Sequence, residues 1–160
     1  MRRVSTALLA AGLLLAAAGE ARADATLFLG ANTTPDTRMV RGVSIGTGLA
    51  VFGFEFEYAT NSGDTDVGAP SLKVGSLNGL LQAPFEIHGF QPYVTAGAGI
   101  YRERLGSRTD TGVAPNLGGG LKIALSGPIR LRVDYRVFRL GHGALYTPAH
   151  RVYAGVNLRF

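Results

Sequence analysis

No cysteine occurs in the 160 residues, so an exported form of this chain has to hold together without disulfides, through a real core or a closed sheet. Past residue 23 there is no apolar run long and uniform enough to cross a bilayer as a helix, and no 3.6-residue hydrophobic period. If the chain enters a membrane, only a closed barrel can satisfy its backbone there. Charge of one sign is also scarce. The excess of 16 Lys+Arg over 11 Asp+Glu is modest and is not a nucleic-acid footprint.

What is present begins with an N-terminal address. Arg2-Arg3 precede an apolar run from Ala7 to Ala18, and Ala21-Arg22-Ala23 offers an A-x-A cleavage site. That pattern is a secretory signal peptide over residues 1–23, with the run too short for a membrane anchor. The mature domain, 24–160, then has 137 residues, with 13 basic against 10 acidic. No repeat, linker or composition break divides it.

Along the mature chain the hydrophobic period is two. The 23 glycines sit among β-branched and aromatic residues, as expected of strands with crowded faces. Ala25–Ala31 reads as a first strand, though Phe28 opposes Leu27 and Leu29. Val43, Ile45, Thr47, Leu49 and Val51 form one face of a second, opposite Gly42, Ser44, Gly46 and Gly48. In the third, Phe52, Phe54, Phe56 and Tyr58 oppose Glu55 and Glu57, so the second face must be wet or charge-paired. The fourth, Leu72–Ala83, changes parity, and a bulge near Gly75-Ser76 is expected to reconcile its halves. The fifth runs Pro92–Arg102 and the sixth Val113–Leu125. In the seventh, Ile129, Leu131, Val133, Tyr135 and Val137 oppose Arg130, Arg132, Asp134 and Arg136. The chain closes on an eighth strand, apolar at Val152, Ala154, Val156, Leu158 and Phe160. Short connections fall near 50–52, 84–91 and 126–128, and longer polar ones at 32–41, 61–70, 102–112 and 138–149. Two loop classes at opposite ends fit a membrane barrel with both termini in the periplasm.

The Phe-terminated last strand, with Phe54–Tyr58, Gln91–Gly99 and Leu131–Arg136, resembles small eight-stranded bacterial outer-membrane barrels of the OmpA/OmpX type across the whole mature chain. The resemblance implies an all-β, antiparallel up-and-down barrel in the outer membrane of a Gram-negative-type envelope. It also implies that Val152, Ala154, Val156, Leu158 and Phe160 are read by the barrel-assembly machinery. The family includes adhesins, structural anchors and small channels, so membership does not settle function. The protein is expected to end at the barrel, without the peptidoglycan-binding domain that some relatives carry.

An interior this narrow is normally filled by side chains. With the third and seventh strands on opposite walls, Glu55 and Glu57 are expected to face Arg130, Arg132 and Arg136, with Lys122, Asp134 and Arg159 nearby, as a cross-lumen ion network. The expected protein is a monomeric, non-enzymatic barrel with a plugged interior and a structural, surface-interaction or adhesion-type role. It needs no cofactor and no metal, and its partners are outer-membrane lipids. Arg38, Arg41, Arg102, Arg104 and Arg108 are candidates for lipopolysaccharide phosphates. The alternatives are a small-solute channel, a lipid A-modifying enzyme using Ser107, His142 or His150 and Asp110, and a soluble lipocalin-like barrel. A metal site from His142 and His150 has too few ligands. Gly97-x-Gly99 and Gly118-Gly119-Gly120 open no helix and fit relief of interior crowding better than phosphate binding.

Overall fold

A computed structural model describes residues 22–49 and 51–160. The eight strands are β1 (Arg22–Asn32), β2 (Arg38–Leu49), β3 (Phe52–Asn61), β4 (Ser71–Gln82), β5 (Phe90–Leu105), β6 (Arg108–Ser126), β7 (Ile129–Phe138) and β8 (Ala149–Arg159). Each pairs antiparallel with the next, and β8 returns to β1, from Asp24 opposite Arg159 to Asn32 opposite Arg151. The sheet is a closed barrel with no free edge. The expected signal peptide lies outside the described residues, except that Arg22 and Ala23 form the start of β1. Ala23 exchanges two backbone hydrogen bonds of 2.9 Å with Phe160.

The period of two decides what faces where. Odd residues of β1, β2, β7 and most of β6 point out, as do even residues of β3 and β5, and they present Leu27, Ile45, Phe54, Phe56, Val94, Leu117 and Val133 to the surroundings. Nearly all the fully buried side chains are polar or aromatic and point inward. A water-soluble protein of this size would show the opposite partition. Phe28, ambiguous in sequence, points inward and stacks on Tyr153 with ring centroids 4.0 Å apart.

Two expectations are corrected. β4 has no bulge: its register runs unbroken from Asn61 opposite Leu72 to Phe52 opposite Leu81. Leu72 and Val74 point into the barrel, because the interior itself turns apolar toward that end. The irregularity in the sheet lies instead between Ala124 and Ser126 of β6. Nor is there a long loop at 102–112. β5 and β6 continue in register to Leu105 opposite Arg108, and only residues 106–107 connect them. Gly106, at φ +58°, supplies the left-handed position of that tight turn. Charged residues led away from a strand assignment, but a strand that has left the apolar belt has no need of apolar outward positions.

The connections sort into two ends. Residues 51, 83–89 and 127–128 lie at the end where β1 begins and β8 finishes, here the terminal end. Residues 33–37, 62–70, 106–107 and 139–148 lie at the loop end. There Arg38 donates to Thr34 O at 3.1 Å and to Pro70 O, tying the first two loops together. The 139–148 loop folds over the mouth, with Leu145 N donating to Glu103 Oε2 at 2.8 Å and Arg108 Nη2 to Gly143 O at 3.0 Å.

Candidate functional site

The lumen is layered. Nearest the loop end, Leu72, Val74, Tyr101, Ala114, Phe138, Leu140 and Ala149 form a buried apolar cluster, and Phe28, Val40, Ala59 and Tyr153 form a second. Apolar side chains fill the lumen at this end.

Below it, three arginines meet three carboxylates. Arg132, fully buried, pairs with Glu55 through both terminal nitrogens, reaches Asp134 Oδ2 at 3.2 Å and donates from Nε to the Tyr93 hydroxyl at 2.7 Å. Arg136 pairs with Asp134 at 3.0 Å, Glu57 at 3.1 Å and Glu55 at 3.4 Å. Arg151 pairs with Glu57, and its guanidinium lies 4.6 Å from the Phe138 ring centroid, against the apolar plug. Hydroxyls complete the cage: Tyr93 donates to Asp134 at 2.5 Å, Ser44 to Glu55 at 3.0 Å and Tyr153 to Glu57 at 3.3 Å. Burying six charges is tolerable because five of them are shared among several partners, while Arg151 has one carboxylate and rests against the rings of Phe28, Phe138 and Tyr153. Gly120 makes room for this, since a Cβ there would collide with the Tyr93 ring and hydroxyl. Gly97, Gly99 and Gly118 also face inward.

Toward the terminal end the ratio changes. Lys122 Nζ lies 2.7 Å from Asp24 and Arg130 Nη2 lies 3.4 Å from the same carboxylate oxygen, so two cations share one acid. Arg130 also donates to Asn157 Oδ1 and Gln91 Oε1, both at 3.0 Å. A cavity of about 260 Å³ opens here, lined by Asp24, Glu55, Gln82, Gln91, Lys122, Arg130 and Arg159 among others.

Of the residues expected in one cross-lumen network, the structure brings together Glu55, Glu57, Arg132, Asp134 and Arg136. Lys122 and Arg130 belong to the separate cluster around Asp24. Arg130 makes no ion pair with either glutamate, a correction whose cause is its place one residue from the start of β7, at the terminal end, where Asp24 is the nearer acid. Arg159 is corrected too: it pairs with Glu86 at 3.2 Å on the half-exposed rim. Sequence reasoning missed Arg151, Tyr93, Tyr153 and Asp24. The parity of Tyr153 and Asn157 marks Arg151 as inward, while Asp24 is hidden by its place beside the cleavage site. Val152, Ala154, Val156 and Leu158 all face outward, and Phe160 is 71% exposed. At the loop end Asp110 accepts from the Tyr101 hydroxyl, and His150 Nδ1 lies 2.7 Å from the Tyr135 hydroxyl. No hydrogen bond joins Ser107 to His142, His150 or Asp110 among the described residues.

An apolar belt outside, a charged lumen inside and eight closed strands define a barrel built for lipid surroundings. A family model described as outer membrane protein beta-barrel domain matches residues 4–160. The chain belongs to that family. It is similar in fold to the N-terminal β-barrel domain of OprF from Pseudomonas aeruginosa, at 17% identity, covering 87% of this chain and 97% of that one with a TM-score of 0.69. Neisserial surface protein A is similar at 15% identity, covering 87% and 94%, TM-score 0.61. The outer membrane protein Ail of Yersinia pestis is similar at 14% identity, covering 86% and 99%, TM-score 0.53. No curated protein matches the chain in sequence. As a member of this outer-membrane family the barrel sits in the bacterial outer membrane, its terminal end toward the periplasm and its loop end outside.

Proposed function

We propose that this outer-membrane barrel is a closed, non-enzymatic protein with a structural, surface-interaction or adhesion-type role. The observation that carries the reading is the filled lumen: a balanced, multiply hydrogen-bonded set of three arginines and three carboxylates under an apolar plug. Water meets hydrocarbon before it reaches the outside. The loop end supports the surface role, because it presents Lys73, Arg102, Arg104 and Arg108 to the exterior. Names of fold neighbours that mention a surface or an attachment locus agree with such a role, but at this identity they speak only for the fold.

A second reading, a small-solute channel, is favoured by the cavity of about 260 Å³ on the periplasmic side. Planar-bilayer recording separates the two. The closed reading expects rare, small events from the unmodified protein, and large, steady single-channel currents would overturn it. The outward apolar strand ending at Phe160 further fits recognition by the barrel-assembly machinery. Deleting Phe160 should then lower insertion in cells more than folding of purified protein into detergent, and equal losses would count against recognition.

A further inference from the structure

Arg102-Glu103-Arg104 reads in sequence as a self-compensating cluster, but the pleat of β5 takes it apart. Glu103 points into the barrel mouth, only 4% exposed, and accepts the Leu145 N–H. Arg102 and Arg104 point out from the wall. On β4, Lys73 stands directly opposite Arg102, with Arg104 diagonal to it one step farther from the membrane. Three cations therefore share one patch. Their register neighbours are hydroxyls: Thr60 opposite Lys73, Thr111 opposite Arg102, Ser71 and Thr109 opposite Arg104. The ion pairs of the described residues lie in the lumen or between Arg159 and Glu86, none on this patch. Arg41 continues the row across Thr60, but its cleft also holds Asp64, so the patch centres on β4 and β5.

Like charges directly opposite one another on a sheet repel and destabilise the pairing. The arrangement makes physical sense once an anion sits between them. One step toward the membrane, the row Gly75, Ile100 and Val113 is apolar, with Ile100 66% and Val113 61% exposed to the surroundings. An anion held at this height therefore has lipid directly beneath it. Arginine offers a planar fork and lysine a mobile point charge, a pairing suited to phosphate oxygens, and the threonine hydroxyls can donate to those that remain.

We propose that Lys73, Arg102 and Arg104 form a lateral binding site for the phosphomonoester of a phosphorylated lipid in the outer leaflet, a group that the choline-capped phosphodiester of phosphatidylcholine lacks. The ligand is a lipid because the site lies on the wall above an apolar row, where a free anion would leave that row without a matching part. The assignment stands apart from the closed-lumen reading. A barrel that conducts could hold lipid phosphate on its wall equally well, so failure of either test leaves the other standing.

The test compares folded protein in phosphatidylcholine vesicles with protein in the same vesicles containing bis-phosphorylated lipid A. Unfolding is followed by heat-modifiable gel mobility, which also shows that each variant is folded at the start. In phosphatidylcholine alone, Lys73→Gln relieves repulsion and should raise the unfolding midpoint. With lipid A present it should lower the midpoint, and lipid A retention should fall about tenfold. Arg102→Gln should behave alike, whereas Arg139→Gln, an exposed cation outside the patch, should respond equally in both membranes. The same sign for Lys73→Gln in both membranes overturns the site. A lipid-dependent response of Arg139→Gln as large as that of Lys73→Gln would make the attraction generic and overturns it too. If inorganic phosphate alone reproduces the stabilisation in phosphatidylcholine, the ligand is a free anion and the lipid assignment falls.

Discussion

The two halves of the lumen differ in what fills them. On the outer side Leu72, Val74, Tyr101 and Phe138 exclude water with hydrocarbon, and the charges against them are matched, three arginines to three carboxylates. On the periplasmic side Lys122 and Arg130 share Asp24 beside a cavity of about 260 Å³. The contrast shows what a buried charge needs. Where apolar side chains cap the lumen, the charges are balanced and all but Arg151 meet several partners; where a cavity opens, an uneven ratio is tolerated, because solvent screens what the protein leaves unpaired.

The largest expected effect tests the dry side of that contrast. Glu57 holds Arg136 and Arg151 and accepts from Tyr153, so Glu57→Ala strands the buried Arg151 guanidinium, takes one of three carboxylates from Arg136 and should cost about 3–5 kcal/mol in urea unfolding from lipid vesicles. A loss below about 1 kcal/mol would mean that water already reaches this layer. The wall supplies the next largest. Val133 faces lipid on β7, between inward-facing Arg132 and Asp134, and Val133→Arg should cost about 2–4 kcal/mol by the same measurement. A variant as stable as the parent would place Val133 away from the acyl chains.

Much of this division is legible in the order of the amino acids. Alternation in Phe52–Tyr58 and Ile129–Val137 assigns glutamates and arginines to the inner face, because a period of two leaves only two faces to choose from. Which charge meets which is not legible there, since that depends on the stagger of the strands around the barrel. Glu57 reaches Arg136 and Arg151, while Arg130 is carried down to Asp24. Leu72 and Val74 misled for a related reason: an interior that changes from polar to apolar along its length looks, in one strand, like a slipped register. The 102–112 segment misled because charge is a sound argument against a membrane-buried strand and no argument against a strand standing above the membrane.

The plug itself is tested by Leu72→Ala. Leu72 is buried beside Val74 in the apolar cluster, and its loss should cost about 2–3 kcal/mol, toward the low end for leucine because the site lies near the mouth. Conductance sharpens the result. If hydrocarbon is the barrier, this variant should pass more current than Glu57→Gln, which keeps side-chain volume but removes the charge. The reverse order would move the barrier into the ion network.

The smallest effect should come from Asp24→Asn, and it bears most directly on the comparison. Its side chain is 14% exposed at the edge of the cavity, and the two cations it serves have other support: Arg130 donates to Asn157 and Gln91, and Lys122 lies 5.9 Å from the Tyr93 ring centroid. Replacing the carboxylate leaves two positive groups that water in the cavity can solvate, so the expected loss is about 1 kcal/mol or less and should shrink further in high salt. A double-mutant cycle with Lys122→Gln checks the cause, because a screened pair should show a coupling of only a few tenths of a kcal/mol, about the limit at which such cycles resolve an interaction. Should Asp24→Asn instead cost as much as Glu57→Ala, with strong coupling to Lys122, the periplasmic half would be as dry as the outer half. The barrel would then carry an unbalanced charge with no solvent to screen it, and the distinction between its two halves would have to be abandoned.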